Sequence, residues 1–207
     1  MATLQEIKAV MTGFPRTLSW NNFRTVQASP SPPSMAQSGS SYFRQGGWRP
    51  HLVNGEYRVR GLRIDVTVNR NASWTVRSAQ TNDLLRHEQG HYDITGLIAR
   101  DLAINILDLS LDASVVASLT DSGNTPAQHL RYVQQLYQTD INNFSQRATD
   151  LMNRLQTNPI TMADGIYDTQ TNHGLNTAVQ LVWDSRFQRI KGTNESFELC
   201  LALDGVI

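Results

Sequence analysis

The block His87-Glu88-Gln89-Gly90-His91 lies inside an apolar pattern of helical period, and that combination constrains the chain more than any other feature. Leu84, Leu85, Ile94, Leu97, Ile98 and Leu102 recur at helical spacing around it, continued by Ile104, Ile106 and Leu107. This predicts a helix largely packed into a core. Thr81 or Asn82 is placed to cap its start, with Asp83 in the first turn. Two imidazoles and a carboxylate on a mostly buried helix are costly unless they are paired or hold a metal. Residues four apart stand above one another on one helix face, so His87 and His91 can reach one ion together. Glu88, rotated by about 100° from His87, borders the same place as a base for water, not as a ligand. The arrangement is the H-E-x-x-H pattern of zinc hydrolases.

A chain of 207 residues can form one substantial core, and we read a single domain over 1–207. Residues 1–77 read mainly as strands and loops, and 78–207 mainly as helix. Lys plus Arg and Asp plus Glu both total 18, so no net field draws the protein to nucleic acid or an anionic membrane, and nucleic-acid binding is not expected. Cys200, the one cysteine, cannot form an internal disulfide and reads as a buried thiol. The start, Met1 to Met11, lacks a basic region followed by an apolar stretch, and no later segment approaches a membrane span. The expectation is a soluble chain without a Sec signal as written.

Ala28 to Ser41 is rich in Ser, Pro and Gly and predicts a loop without fixed secondary structure. Thr17–Phe23 reads as a short strand or turn. Tyr57–Val68 alternates from Leu62 onward as a half-buried strand, with Arg58, Arg60 and Arg63 on a solvated face, and Asn71–Val76 as another strand. Pro126 is placed to open a long helix whose stripe includes Leu130, Val133, Leu136, Tyr137, Ile141, Phe144, Ala148, Leu151 and Leu155, up to a break at Asn158-Pro159. A further helix is expected from about Gly174 to Arg189, and Phe197–Leu203 reads as a strand or the end of the packing unit. The fold class is therefore α+β: a small, mostly antiparallel sheet packed on the motif helix, followed by a largely helical half.

Two histidines do not complete a catalytic zinc site, which has three protein ligands and an open position. The longer pattern H-E-x-x-H-x-x-G-x-x-H is absent, because Ile94 and Leu97 occupy its glycine and histidine positions, and Cys200 lies too far downstream to replace a cysteine ligand before the helix. Asp93, Asp101 and Asp108 point elsewhere along the same helix. The remaining candidates are His129, Asp140, Asp168 and His173, with His51 upstream. The stretch Gly165–Gly174 gathers a histidine, a carboxylate, a tyrosine and two glycines between helices. We favour His173 as the third ligand, with Asp168 as an alternative ligand or the acceptor that orients a bound imidazole. Tyr167 is a candidate donor to an oxyanion. His51 and His129 read as surface histidines.

Taken together, Leu18-Ser19-Trp20 with Phe23, Ser73-Trp74, the block Leu84–Ile94, and Tyr167-Asp168 with Thr171, His173-Gly174, Gln180 and Trp183 resemble a family of bacterial predicted secreted zinc-dependent proteases, over most of the chain. The resemblance implies a zincin-like fold, zinc as the cofactor, a peptide or protein as substrate, His87 and His91 as ligands, Glu88 as general base and a functional role at position 173. It also implies a secreted or periplasmic location. Two other readings use the same residues: a zinc- or partner-binding module without turnover, and a zinc hydrolase of a non-peptide amide.

Overall fold

The helix that carries the histidine block starts where its sequence predicts. Thr81 is extended at the N-cap, and its hydroxyl accepts from the Leu84 N–H at 3.1 Å. From Tyr92 to Ile104 every residue is buried, so this helix is enclosed on all sides, not laid on a surface. The computed structural model describes residues 1–32, 34–120, 123–156 and 163–207.

In chain order α1 (Leu4–Val10), β1 (Met11–Thr12), β2 (Arg24–Val26), β3 (Ala36–Gln37), β4 (Ser40–Gln45), β5 (Arg49–Val53), β6 (Glu56–Arg60), β7 (Arg63–Val68) and β8 (Trp74–Val76) lead to the motif helix α2 (Asn82–Leu107). β9 (Ser110–Asp112), α3 (Ala113–Leu119), α4 (Pro126–Leu155), α5 (Ile166–Thr171), α6 (Thr177–Lys191) and α7 (Phe197–Leu203) follow. The class is α+β. In place of one small sheet, the described strands form three, each of three strands, in the orders β1-β7-β4, β2-β8-β3 and β5-β6-β9. β1 and β2 run parallel to their neighbours, and the other pairings are antiparallel.

The division of the sheets has a local cause. The single strand expected over 57–68 is cut at Gly61, whose φ of +75° suits glycine and where a Cβ would stand 2.9 Å from the Gly47 carbonyl oxygen. β6 and β7 therefore enter different sheets. The Ser/Pro-rich stretch is also more ordered than its composition suggests, because β3 and the start of β4 fall within it. It is held by neighbours: Ser73 Oγ accepts from the Gly39 backbone N–H at 2.9 Å, and Trp74 Nε1 donates to the Gln37 side-chain Oε1 at 2.9 Å. Thr17–Phe23 ends in a 3-10 turn over Trp20–Asn22.

Two apolar cores lie on opposite sides of α2. Tyr92, Ala99, Leu102, Ala103 and Ile106 pack with the strands, α1 and the first part of α4, whereas Ile94, Leu97 and Ile98 pack with Tyr167, Trp183, Phe187, Phe197 and Leu201. α4 opens at Pro126 behind a Thr125–Gln128 capping box and ends at Leu155; the break expected at Asn158-Pro159 lies outside the described residues. In its stripe Val133, Tyr137, Ile141, Leu151 and Leu155 are buried, but Leu130 and Leu136 are exposed. In the next helical stretch Leu175 and Val182 are also exposed.

Phe197–Leu203 is a helix and not a strand. Asp101 of α2 accepts from Ser196 Oγ at 2.8 Å and from the Glu198 N–H at 2.9 Å, fixing the first turn of α7. Next to it, the buried Arg100 guanidinium donates to the carbonyls of Ile190, Thr193 and Glu195. These charges on α2 anchor the link between α6 and α7 by bonding backbone groups at the end of one helix, in the turn and at the start of the other.

Gly96 lets the Phe14 ring lie directly on α2, since a Cβ there would overlap the ring. Gly96→Ala should therefore lower stability by about 1–3 kcal/mol, despite the gain of about 1 kcal/mol that alanine brings in a free helix. A raised unfolding temperature would show that the ring yields without loss.

Candidate metal centre

His87 and His91 occupy one face of α2, as their spacing requires, with Nε2 atoms 3.2 Å apart. The third corner is Asp168 of α5, whose Oδ1 lies 3.1 Å from His87 Nε2 and 3.0 Å from His91 Nε2. His87 and Asp168 are buried and His91 is partly exposed. Four ligands held about 2.0–2.1 Å from a tetrahedral zinc stand roughly 3.3 Å from one another. The three donor atoms thus form a triangle of nearly the right edge for one face of that tetrahedron. Two histidines with one carboxylate are also a known donor set of catalytic zinc.

Asp168 reaches this place through the geometry of α5. Gly165 caps the helix where a Cβ would overlap the Leu155 carbonyl and the Gln156 backbone, so α5 abuts the end of α4. At its other end Asn172, His173 and Gly174 all have positive φ, at +47°, +51° and +84°. The His173 N–H donates to the Asp168 carbonyl at 3.1 Å and the Asn176 N–H to the Thr171 carbonyl at 2.8 Å, which ends the helix in a left-handed cap. The turn brings Gly174 so close to α2 that a Cβ would stand 2.8 Å from His87 Cβ.

His173, favoured from sequence as the third ligand, is outside this triangle and stands with Asp164 and Asp168 in a second group of side chains that could hold an ion. It is about half exposed and pairs through Nε2 with Asp164 Oδ2 at 3.2 Å, while its Nδ1 is 3.8 Å from Asp168 Oδ1. The left-handed turn explains the displacement, since it carries the imidazole past the end of α5 while Asp168 remains on the face toward α2. His51 is exposed on β5, and His129 and Asp140 lie on α4, apart from this group.

Tyr167 is likewise not placed to meet an oxyanion. Its ring is fully buried and stacks on His87 at 5.0 Å and 5°. The hydroxyl donates to the His87 carbonyl at 3.1 Å and accepts from Gln180 Nε2 at 2.8 Å, and Gln180 Nε2 also donates to Asp184 Oδ1 at 2.9 Å. Burial holds the phenol well above its ordinary pKa. Tyr167 is thus a brace between α6 and the first turns of α2, and Gly90 makes room for it, because a Cβ there would overlap the hydroxyl.

Glu88 is buried, and its Oε2 has no hydrogen-bond partner among the described residues. Burial raises its carboxyl to about 7, although the His91 charge and the Ser38 N–H act in the opposite sense. Burial lowers His87 against the pull of Asp168; at His91 burial is again the largest single influence and acts downward, but the Asp168 charge, its hydrogen bond and the Glu88 charge together outweigh it and the group is raised. Asp168 is itself buried, yet the two imidazoles hold it far below the usual carboxylate range. Gln156 Nε2 donates to the His91 carbonyl at 3.0 Å, so α4 also ties down the second histidine.

Thr171 and Gln180 stand out in the sequence only among the residues that carry the resemblance, without a role beside the histidines, and Gln156 not at all. The signal for Thr171 was present: Tyr167 and Asp168 precede it by four and three residues, one face of a helical turn, but only when the stretch is read as a helix and not as a loop. No protein-family model matches the chain, and no curated protein or solved structure is similar to it at a significant level.

Tyr167→Phe should cost about 1–3 kcal/mol, because it leaves the His87 carbonyl and the Gln180 amide buried with one partner fewer. Urea titration reads this directly. An unchanged midpoint would mean that the hydroxyl is not a brace.

Proposed function

We propose that the protein is a zinc-dependent peptidase of zincin-like fold, in which His87, His91 and Asp168 hold the ion. The observation that supports this most is the triangle of donor atoms beside a buried carboxylate, Glu88, that has an unpartnered oxygen. When bound, zinc would lower the pKa of a water in the open position and polarise the carbonyl under attack. Glu88 takes the proton of the attacking water and delivers it to the leaving amine, a task suited to a carboxyl raised toward neutrality. Asp168 supplies the negative charge that makes the site attractive to a divalent cation. Gln156 and Tyr167, which bond the carbonyls of His91 and His87, hold the two rings in place.

No described helix is long and apolar enough to cross a membrane. A secreted or periplasmic setting and a peptide substrate are parts of this proposal, carried by the resemblance of the motif blocks.

Metal analysis of the purified chain should find about one zinc per molecule. His91→Ala and Asp168→Ala should lose it and His173→Ala should keep it. Glu88→Gln should retain zinc while peptide cleavage falls by roughly 10²–10⁴-fold. Zinc loss in His173→Ala but not in Asp168→Ala would contradict the ligand set, and full turnover by Glu88→Gln would contradict the role of the base.

A further inference from the structure

We infer that Thr171 is a positioning residue for the metal centre, fixing which nitrogen of His87 carries the proton. The inference rests on the ligand set proposed above and assigns a residue beyond it.

Thr171 is fully buried at the end of α5. Its hydroxyl donates to the Tyr167 carbonyl, one helical turn back, at 2.7 Å. A hydroxyl has a single proton, so with that proton committed, Thr171 Oγ1 meets a third group only as an acceptor. The third group is His87 Nδ1, at 3.4 Å. Gln180 leaves the same polarity around the ring, for its amide nitrogen is directed to Asp184 at 2.9 Å and to the Tyr167 hydroxyl at 2.8 Å.

An acceptor-only neighbour at Nδ1 requires that Nδ1 bear the hydrogen. Asp168 Oδ1, 3.1 Å from Nε2, is also only an acceptor, so the metal-free ring is drawn to hold a hydrogen on each side; a cation in the triangle would displace the one on Nε2, 3.2 Å from His91 Nε2, and the contact to Thr171 keeps the other on Nδ1. A cation ligand must present a lone pair, and the hydrogen bond of the opposite nitrogen sets the tautomer and the ring angle. The same six-residue helix therefore provides a ligand, Asp168, and the group that orients another ligand, Thr171. The stacked Tyr167 ring, with its plane only 5° from that of His87, packs on the imidazole without distinguishing its two nitrogens. Thr171 supplies the directional contact that stacking lacks.

The test compares wild type with Thr171→Val, Thr171→Ala and Thr171→Ser, with Asp168→Ala as the site control. Zinc dissociation constants come from chelator competition, and unfolding temperatures are taken on the metal-free proteins. The expected result is zinc binding weakened about 10–100-fold in Thr171→Val and Thr171→Ala, restored by Thr171→Ser, which keeps the hydroxyl. In zinc-loaded protein, the Nδ1 proton resonance of His87 should move upfield in Thr171→Val as its hydrogen bond is lost. Equal zinc affinity in wild type and both hydroxyl-free variants would overturn the inference and leave the metal centre standing. Equal failure of wild type and Asp168→Ala to bind zinc would overturn the metal centre itself, and this inference with it. Lower metal-free stability with unchanged affinity would reduce Thr171 to packing.

Discussion

One carboxylate oxygen, Asp168 Oδ1, stands between two imidazole nitrogens, and much of the second half of the chain serves to put it there. It is 3.1 Å from His87 and 3.0 Å from His91, on a carboxylate that is almost wholly buried. An unpaired charge in such a place would be expensive, so α5 can pack against α2 only if that charge is matched. The two imidazoles match it in part, and a divalent cation would match it more fully. The packing of α5 and the chemistry of the histidine block are thus one constraint seen from two sides.

That constraint is supported from below by α2. A helix buried all round from Tyr92 to Ile104 has two cores to bind, and it holds the strand half on one side and α5, α6 and α7 on the other. Its polar residues are spent on fixing neighbours: Asp93 on Lys191 at 2.6 Å, Arg100 on three carbonyls, Asp101 on the start of α7. Gln89, inside the histidine block, accepts from the Leu18 N–H at 2.7 Å and so ties the N-terminal segment to the same helix. The two histidines, set on an element so constrained, have little room to drift, as the proposed metal site would need.

The features legible in sequence were those with a local physical code. The 3.6-residue period and the Thr81 cap gave α2, and Pro126 gave the start of α4. The spacing of His87 and His91 placed both rings on one face. What escaped was set by contacts between distant segments. Phe197–Leu203 is apolar enough to be a strand; its helix has a local cap in Ser196, which accepts from the Leu199 N–H, and is joined to α2 by Asp101, nearly a hundred residues earlier. That Asp168 and not His173 faces the histidine pair depends on a left-handed turn at Asn172 and His173, a conformation that those residue types permit but do not announce. α1 was missed although a local signal existed, the Thr3–Glu6 capping box.

The most direct measurement is an anomalous-difference crystal structure of the zinc-loaded protein at the zinc edge. The account predicts a single peak about 2.0–2.2 Å from His87 Nε2, His91 Nε2 and Asp168 Oδ1, with Glu88 beside it and not bound to it. A peak ligated by His173 in place of Asp168, or no peak at the histidine pair, would contradict it.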